Sequence, residues 1–417
     1  MRTFMKITRL EARNYKSFEH LETDFNDFTL IVGANASGKS NLMSLFKFIK
    51  DIMLEGLENA IAMQGGLEYL ANANSDKGAP ISISFNLELD KEQWYMRKTA
   101  DNAFTSPRSF SYRFEITPHL RGKSYNISYD ELIVNFESAK REKIDGSRKF
   151  VMKNLKEFQT CTIIKKSTNA KYEIIGDEFR DIRFLLDELS RVKNEILLYR
   201  LSYFLPPLFA EENLIKVYDF DPQQLKRPCV ISARKTLEAD GANLAFVLQN
   251  VLKSKSEYQK FIRLLNNSLP FVTKLSVEQN YDQSYAYKLS EKYSNKSFYA
   301  QFLSDGTVSI IAIIIALYFQ DKSEIVIIEE PERNIHPKLL GTVVQMAKDV
   351  AMQKQVIFTT HNPEILNNST LESIRFIQRN KDGFSVVSTP ASNERVKTFI
   401  NNELGLSELF LLNLLGE

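Results

Sequence analysis

Gly33-Ala34-Asn35-Ala36-Ser37-Gly38-Lys39-Ser40 follows directly on the apolar run Phe28-Thr29-Leu30-Ile31-Val32 and precedes a segment whose apolar residues Leu42, Leu45, Phe46, Ile49 and Ile52 recur at helical spacing. A G-x-x-x-x-G-K-[ST] pattern between a buried strand and a helix is the setting a phosphate loop requires. The glycines let backbone N–H groups close around phosphates, and the helix start adds partial positive charge. Lys39 is placed to reach the β- and γ-phosphates and Ser40 to hold Mg²⁺. Gly33 through Asn41 are therefore the expected nucleotide-binding residues. The alternative, a glycine-rich turn without a ligand, is disfavoured by the strand before it and the helix after it.

Three further segments belong to the same chemistry. Ile325-Val326-Ile327-Ile328-Glu329-Glu330 is an apolar strand that ends in two adjacent carboxylates. Glu329 is assigned to the Mg²⁺ shell and Glu330 to the base that takes a proton from attacking water. Val356-Ile357-Phe358-Thr359-Thr360-His361 is a second apolar strand, and it ends in a histidine fitted to sense a γ-phosphate or to position water. A capping role for His361 remains the alternative. Leu303-Ser304-Asp305-Gly306-Thr307 precedes an apolar helix, so Ser304, Gly306 and the backbone around them form an anion site or a plain N-cap. Lys39, Glu330 and His361 are the expected catalytic residues.

Composition narrows the class. The 417 residues give a prior of two to three domains, and 54 Lys+Arg against 52 Asp+Glu leave a net charge of +2, which excludes a polybasic coat protein. With 43% hydrophobic and 25% charged residues the chain buries a sizeable core. Two cysteines, Cys161 and Cys229, make no disulfide framework, and a reducing cytoplasm is the expected setting. The first residues alternate charged and apolar side chains in place of a secretory signal. The longest apolar run, Val308 to Phe319, has about 12 residues where a bilayer span needs roughly 20, so it reads as a helix buried on all sides and no membrane partner is expected.

Along the chain, strands are expected at ITRLEARNY and FTLIVG, and a helix from Asn41 to about Ile61, ended by Gly65-Gly66. Between about 79 and 175 the text alternates as ISISFNLEL, SFSYRFEIT, YNISYDELIV, TCTIIKK and KYEII, an antiparallel subdomain. From Asp181 to Tyr199, Ile182, Leu185, Leu189, Val192, Ile196 and Tyr199 mark the seam of a helix pair or short coiled coil. From about 228 buried strands and helices return, beginning with PCVISA. The fold class is α/β, with residues 1–90 as one lobe, 91–225 as an inserted strand-rich and helical subdomain, and 226–417 as a second lobe.

The order of phosphate loop, long insertion, Leu-Ser-x-Gly, strand-Glu-Glu and strand-His resembles the ABC-type ATPases, in the branch that includes RecF, the SMC proteins and the ATPase half of overcoming-lysogenisation-defect (OLD) nucleases. The residues that carry the likeness are GANASGKSN at 33–41, LEADGANLA at 237–245, LSDGT at 303–307, IIEEPERNIHP at 327–337, TTHNP at 359–363 and ELGLSELFLLNLLG at 403–416. More narrowly the chain looks like the bacterial stand-alone ATPases of that branch. The resemblance implies ATP and Mg²⁺ as ligands and a head-to-tail homodimer, or higher homo-oligomer, with ATP sandwiched between the phosphate loop of one copy and Ser304 and Gly306 of the other. It implies that Asn334 and His336 lie in a loop crossing that interface, that Tyr15, Lys16 and Phe18 stand where relatives approach adenine or phosphate, and that Gln64 is a candidate Mg²⁺-sensing glutamine. It further implies a separately encoded, nuclease-like effector and work in antiviral defence or DNA maintenance.

Three features depart from the pattern. Glu-Glu replaces the commoner Asp-Glu, Asp305 replaces a glycine and brings negative charge towards the phosphates, and the Asp181–Tyr199 seam is expected as a stub in place of a long coiled-coil arm, with no acidic-cluster nuclease domain expected after His361. Slow or partner-dependent hydrolysis is therefore expected, and a nucleotide-regulated binding module with little turnover stands as the alternative. A transporter ATPase subunit is a remoter one, since such chains carry glycine at the place of Asp305 and lack the insertion. DNA is a further candidate ligand. Lys140, Arg141, Lys143, Arg148, Lys149, Lys153 and Lys156 form either a phosphate-tracking face or a solvated hairpin surface.

Overall fold

The computed structural model describes residues 5–76, 78–89, 97–98, 103–119, 124–143, 150–167, 170–176, 186–187, 189–190, 192, 194–204, 214–230, 235–320, 323–393, 396 and 406–411. The chain forms two compact units. One comprises Met1–Phe25, Ser40–Leu214 and Gln378–Val387, the other Asn26–Lys39, Ile215–Ile377 and Ser388–Glu417.

The first unit is built on an antiparallel sheet. Strands β1 (Met5–Tyr15) and β2 (Phe18–Asp24) form a hairpin, and β1 also pairs with β4 (Ile81–Leu89). The sheet continues through β6 (Ala103–Pro118), β7 (Tyr125–Lys143), β8 (Phe150–Lys165) and β9 (Glu173–Ile175), and the short β5 (Arg97–Lys98) adds to β6. Alternation explains the pleat: in β4 Ile81, Ile83, Phe85, Leu87 and Leu89 are buried while the residues between them are partly exposed or exposed. Because β1 and β4 hydrogen-bond into the same sheet as β6 to β8, residues 1–90 do not stand apart from 91–225. The observed division cuts the chain differently from the three consecutive segments read in the sequence.

Helix α1 (Lys39–Glu55) follows the phosphate loop, and α2 (Leu57–Met63) follows α1. The single helix expected to about Ile61 is broken at Gly56, whose φ of 82° is open chiefly to glycine and whose N–H closes the last turn on Ile52 O at 3.0 Å. The helix pair or short coiled coil expected from Asp181 to Tyr199 is described in part: Ile182 and Leu185 lie outside the described residues, Leu186, Asp187, Leu189 and Ser190 are helical, Asn194 sits at φ 67°, and a further helix spans Leu197–Phe204. Most of the basic stretch proposed for DNA, including Arg148 and Lys149 and the side chains of Lys140, Arg141, Lys143, Lys153 and Lys156, also lies outside the described residues.

The second unit holds a parallel sheet. Strand β3 (Phe28–Val32) is buried at every position, as are β15 (Gln355–Thr360) and the first four residues of β14 (Ile325–Glu329). With β10 (Ile215–Tyr218) and β16 (Ile374–Arg379) these run parallel in the order β10-β14-β15-β3-β16. Continuous apolar strands of this kind need both faces covered. Helices α3 (Leu244–Leu252), α4 (Lys255–Ser268), α5 (Asp305–Tyr318) and α6 (Leu340–Ala351) contribute buried residues to the same core as the strands. All of Val308–Leu317 in α5 are buried, Ser309 included, as the apolar run predicts. A separate three-stranded sheet, β11 (Val272–Gln279), β12 (Tyr285–Glu291) and β13 (Ser297–Tyr299), packs on the same core. Of the strand expected at PCVISA, Cys229 forms a bridge with Tyr285, and residues 231–233 lie outside the described residues. Among the described residues no helix is long and apolar enough to cross a membrane.

Candidate functional site

The phosphate loop is shaped by two residues at positive φ, Ala36 at 61° and Gly38 at 118°. Gly33 is needed for a different reason: a Cβ there would stand 2.4 Å from the Ile377 carbonyl oxygen and 2.6 Å from Ser37 Oγ. The Gly33 N–H donates to Thr360 O at 3.2 Å, which ties the loop to the end of β15. Ala34, Asn35 and Ala36 are exposed at the rim, while Ser37, Gly38 and Lys39 are buried. Lys39 Nζ donates to Gly33 O at 2.6 Å and to Ala34 O at 2.9 Å. Burial pulls its pKa below the ordinary lysine value, against the pull of Glu330 and Glu332. Ser40 is exposed in the first turn of α1, and Asn41 Nδ2 donates to Ser17 Oγ at 2.7 Å.

Strand β14 delivers the carboxylates. Glu329 is its partly exposed last residue. Glu330 follows at φ 45°, a left-handed conformation that costs a non-glycine residue about 1–3 kcal/mol. That turn, held by the Glu330 N–H donating to Thr359 O at 2.9 Å, aims the carboxylate back across the strand ends. Glu330 Oε1 meets His361 Nδ1 at 2.9 Å, and Oε2 accepts from Arg333 Nη2 at 3.0 Å and Nε at 3.3 Å. Arg333 Nη1 donates in turn to Asp219 Oδ1 at 3.1 Å. Burial pushes the Glu330 carboxyl up, but Arg333 and His361 together outweigh it and hold it below the ordinary carboxylate range.

Glu332 is the carboxylate that sequence reasoning quoted without giving it a role. It is 6% exposed, its Oε1 accepts from Thr360 Oγ1 at 2.5 Å, and burial raises its pKa. Thr360 Oγ1 also accepts from Asn362 N at 2.9 Å, so Glu332 and the turn after β15 are fixed together. Arg333 and Asp219 were missed as well. Arg333 stood inside a quoted motif, but its partner lies 114 residues away in sequence and no local pattern marks it.

Ser304 caps α5: its Oγ accepts from Thr307 N at 3.2 Å and lies 2.8 Å from Thr307 Oγ1. Gly306 packs against the loop after β14, where a Cβ would stand 2.6 Å from Asn334 O, and Asn334 itself lies at φ 63°. His336 Nδ1 accepts from Lys338 N at 3.2 Å and caps the next turn. The structure thus brings together Glu330 with His361, Lys39 with its own loop, and Gly306 with Asn334.

The expectation that Tyr15 and Phe18 face a ligand is corrected: both are fully buried. Tyr15 and Phe48 stack with ring centroids 6.3 Å apart, so Tyr15 serves the core of its unit. Lys16 Nζ donates to Ser44 Oγ at 2.5 Å and to Gln64 Oε1 at 2.9 Å, and Ser44 Oγ donates to the same Gln64 oxygen at 2.7 Å. This group borders a cavity of about 520 Å³ also lined by Ser17, Asn41 and Arg379.

The chain is similar to known proteins. Over 394 residues the chain is 21% identical to the OLD nuclease of Thermus scotoductus, covering 92% of the chain and 64% of that protein. It is 50% identical over 40 residues to the DNA replication and repair protein RecF of Bacillus mycoides, covering 9% of the chain and 11% of the relative. It is likewise 50% identical over 46 residues to the structural maintenance of chromosomes protein 1 of Arabidopsis thaliana, covering 11% of the chain and 4% of the relative. The matches therefore span less than two thirds of each of these relatives. Among solved structures, an SMC head bound to the C-winged helix domain of ScpA shares 14% identity at a TM-score of 0.48, covering 92% of this chain and 97% of that one. The SMC head domain from Thermotoga maritima shares 16% at 0.41, covering 93% and 99%. The sequence pattern of the family described as "AAA domain, putative AbiEii toxin, Type IV TA system" matches residues 28–367, from the start of β3 past His361. The chain belongs to that AAA-domain family, within the branch of ATPases that holds RecF, the SMC proteins and OLD nucleases.

Proposed function

We propose that this chain binds and hydrolyses Mg-ATP, closes head to tail with a second copy around the nucleotide, and by closing and reopening switches an effector protein or DNA. The observation that carries the reading is the delivery of Gly33–Lys39, Glu329–Glu330 and His361 by three neighbouring parallel strands, with Glu330 and His361 in contact at 2.9 Å. Ligands of open parallel sheets bind at the carboxyl ends of the strands. The loop suits a triphosphate, because the buried Lys39 ammonium is satisfied by carbonyls of the loop itself, which phosphate oxygens can replace. Ser40 and Glu329, a hydroxyl and a carboxylate, are the hard oxygen donors that would hold Mg²⁺. The ion supplies charge neutralisation at the β- and γ-phosphates.

In the reaction, Glu330 takes the proton of the attacking water. His361 holds one oxygen of that carboxylate through Nδ1, and its second ring nitrogen is the group that would sense the γ-phosphate or position water. Ser304 and Gly306 of the second copy complete the pocket. The family description names a type IV toxin–antitoxin toxin, one relative is named for replication and repair and another is a nuclease, and these names support antiviral defence or DNA maintenance with a nuclease-like effector. A cytoplasmic setting fits the free thiols of Cys161 and Cys229.

A second reading, nucleotide-controlled assembly with little turnover, draws support from the engagement of both Glu330 oxygens by Arg333 and His361. Single-turnover hydrolysis separates the two. The test of the main reading is Mg-ATP turnover that Lys39→Ala abolishes, together with an ATP-bound dimer trapped by Glu330→Gln; a Glu330→Gln chain that stays monomeric in ATP sinks the sandwich.

A further inference from the structure

The Leu237–Ala245 stretch, quoted for its resemblance, supplies no side chain to the site. It supports a neighbouring turn instead. Asp219 N donates to Ala239 O at 2.9 Å and Asp221 N to Asp240 O at 3.2 Å. Leu237 N donates to Gln320 Oε1 at 3.0 Å, and Asn243 bonds the Thr236 carbonyl and the Glu238 N–H, each at 2.9 Å. Gly241, at φ 80°, leaves room for Leu225: a Cβ there would stand 2.2 Å from Leu225 Cδ2. Leu225 is fully buried, and Tyr287 Oη donates to its carbonyl at 3.0 Å. The short helix Pro222–Leu225, capped by Asp221 Oδ1 accepting from Gln223 N at 2.9 Å, is thereby held at both ends.

Lys226 ends that helix, and its Nζ meets Asp305 Oδ1 at 2.5 Å with 16% of the lysine side chain exposed. Asp305 is the residue that departs from the glycine of the Leu-Ser-Gly-Gly form. In the first turn of α5 a carboxylate favours the helix, but it opposes a triphosphate brought to the same turn. We propose that Lys226 is a positioning residue for nucleotide capture: it neutralises Asp305 and holds its carboxylate aside, so that Ser304 and the start of α5 accept the triphosphate borne by a second copy of this chain. The inference rests on the sandwich reading given above. It explains how an acidic residue is tolerated there and what the Leu237–Ala245 stretch supports.

The experiment uses the full chain as wild type, Lys226→Met, Asp305→Asn and the double variant, and follows ATP-dependent self-association by sedimentation and Mg-ATP turnover as KM and kcat. Lys226→Met should raise both the KM for ATP and the protein concentration at half-assembly about ten-fold, the effect of leaving one charge of a close pair unpaired. Asp305→Asn in the same chain should bring both back to within about two-fold of wild type. A lysine that touches phosphate itself gives no such rescue, and a double variant as weak as Lys226→Met overturns the proposal, as does a loss in Lys226→Met that is matched by a fall of the thermal midpoint without nucleotide, the mark of a pair that only maintains the fold. So does a Lys226→Met chain that matches a wild type which assembles and turns over ATP. A wild type that does neither overturns the sandwich reading and this inference together.

Discussion

At the scale of single residues, the site is defined by what holds Glu330. Both of its oxygens are engaged, by Arg333 and by His361, and Arg333 is anchored on Asp219. A base tied to a guanidinium accepts a proton less readily. Arg333→Ala should therefore raise the single-turnover rate of ATP hydrolysis roughly three- to ten-fold, and a fall in rate would show that the guanidinium helps catalysis directly. Because the Glu330 carboxyl lies below the ordinary carboxylate range, it stays ionised as pH falls through that range. The acid limb of turnover belongs below the range and should move upward in Arg333→Ala, as read from rate against pH. Lys39→Ala and Glu330→Gln should each lower turnover about 100-fold or more, with ATP binding retained only in the second.

Elements carry two predictions of their own. Gly306 reads as a phosphate-contacting glycine, yet it also touches Asn334 O within its own chain. Gly306→Ala should thus lower stability by about 1–3 kcal/mol without nucleotide, seen as a drop in the thermal midpoint; an unchanged midpoint would leave only the role towards nucleotide. In the other unit, Asp130 of β7 is fully buried and accepts from Tyr112 Oη at 2.6 Å, Tyr172 Oη at 2.5 Å and Leu197 N at 2.8 Å. It thereby fastens the helix Leu197–Phe204 to the sheet. Burial, opposed by these donors and by Lys165, pushes its pKa up to about 6. A raised pKa means that the folded state favours the protonated form. That contribution is complete below the unfolded value of about 3.9 and is lost as pH rises through about 6. The unfolding free energy of wild type relative to Asp130→Asn should grow by up to about 3 kcal/mol between pH 7 and pH 4. Denaturant titrations at the two pH values read it, and a constant difference would refute the buried-carboxyl account.

For the whole molecule, the proposed sandwich makes activity a property of two copies. Turnover per chain should rise with protein concentration and saturate where ATP-dependent dimerisation does; a specific activity independent of concentration, measured below the dimerisation midpoint, would contradict shared sites. The near balance of 54 basic and 52 acidic residues makes strong general binding to nucleic acid unexpected. Binding to duplex DNA, if direct, should weaken several-fold between two salt concentrations in the presence of Mg-ATP. Binding that is absent, or insensitive to salt, would remove DNA as a direct ligand.

How much of this was legible in the sequence follows from the range of the interactions involved. The phosphate loop, the strands behind Glu330 and His361, the alternating strands of the antiparallel sheet and the buried α5 are written in short-range periodicity, because the backbone repeats of strand and helix impose it on neighbouring residues. The break at Gly56, the positive φ at Asn194 and the burial of Tyr15 and Phe18 escaped that reading, since a left-handed turn or a ring's neighbours depend on packing that periodicity does not report. The pairs Arg333–Asp219 and Lys226–Asp305 lie 114 and 79 residues apart in the chain, and Asp130 meets Leu197 across 67. Their charges and burial exist only once the strands and helices that carry them have packed. The sequence by itself determined which chemical groups stand at the strand ends; tertiary structure alone decided which of them touch, because long-range contacts are chosen by the packing of whole elements and not by the residues beside them.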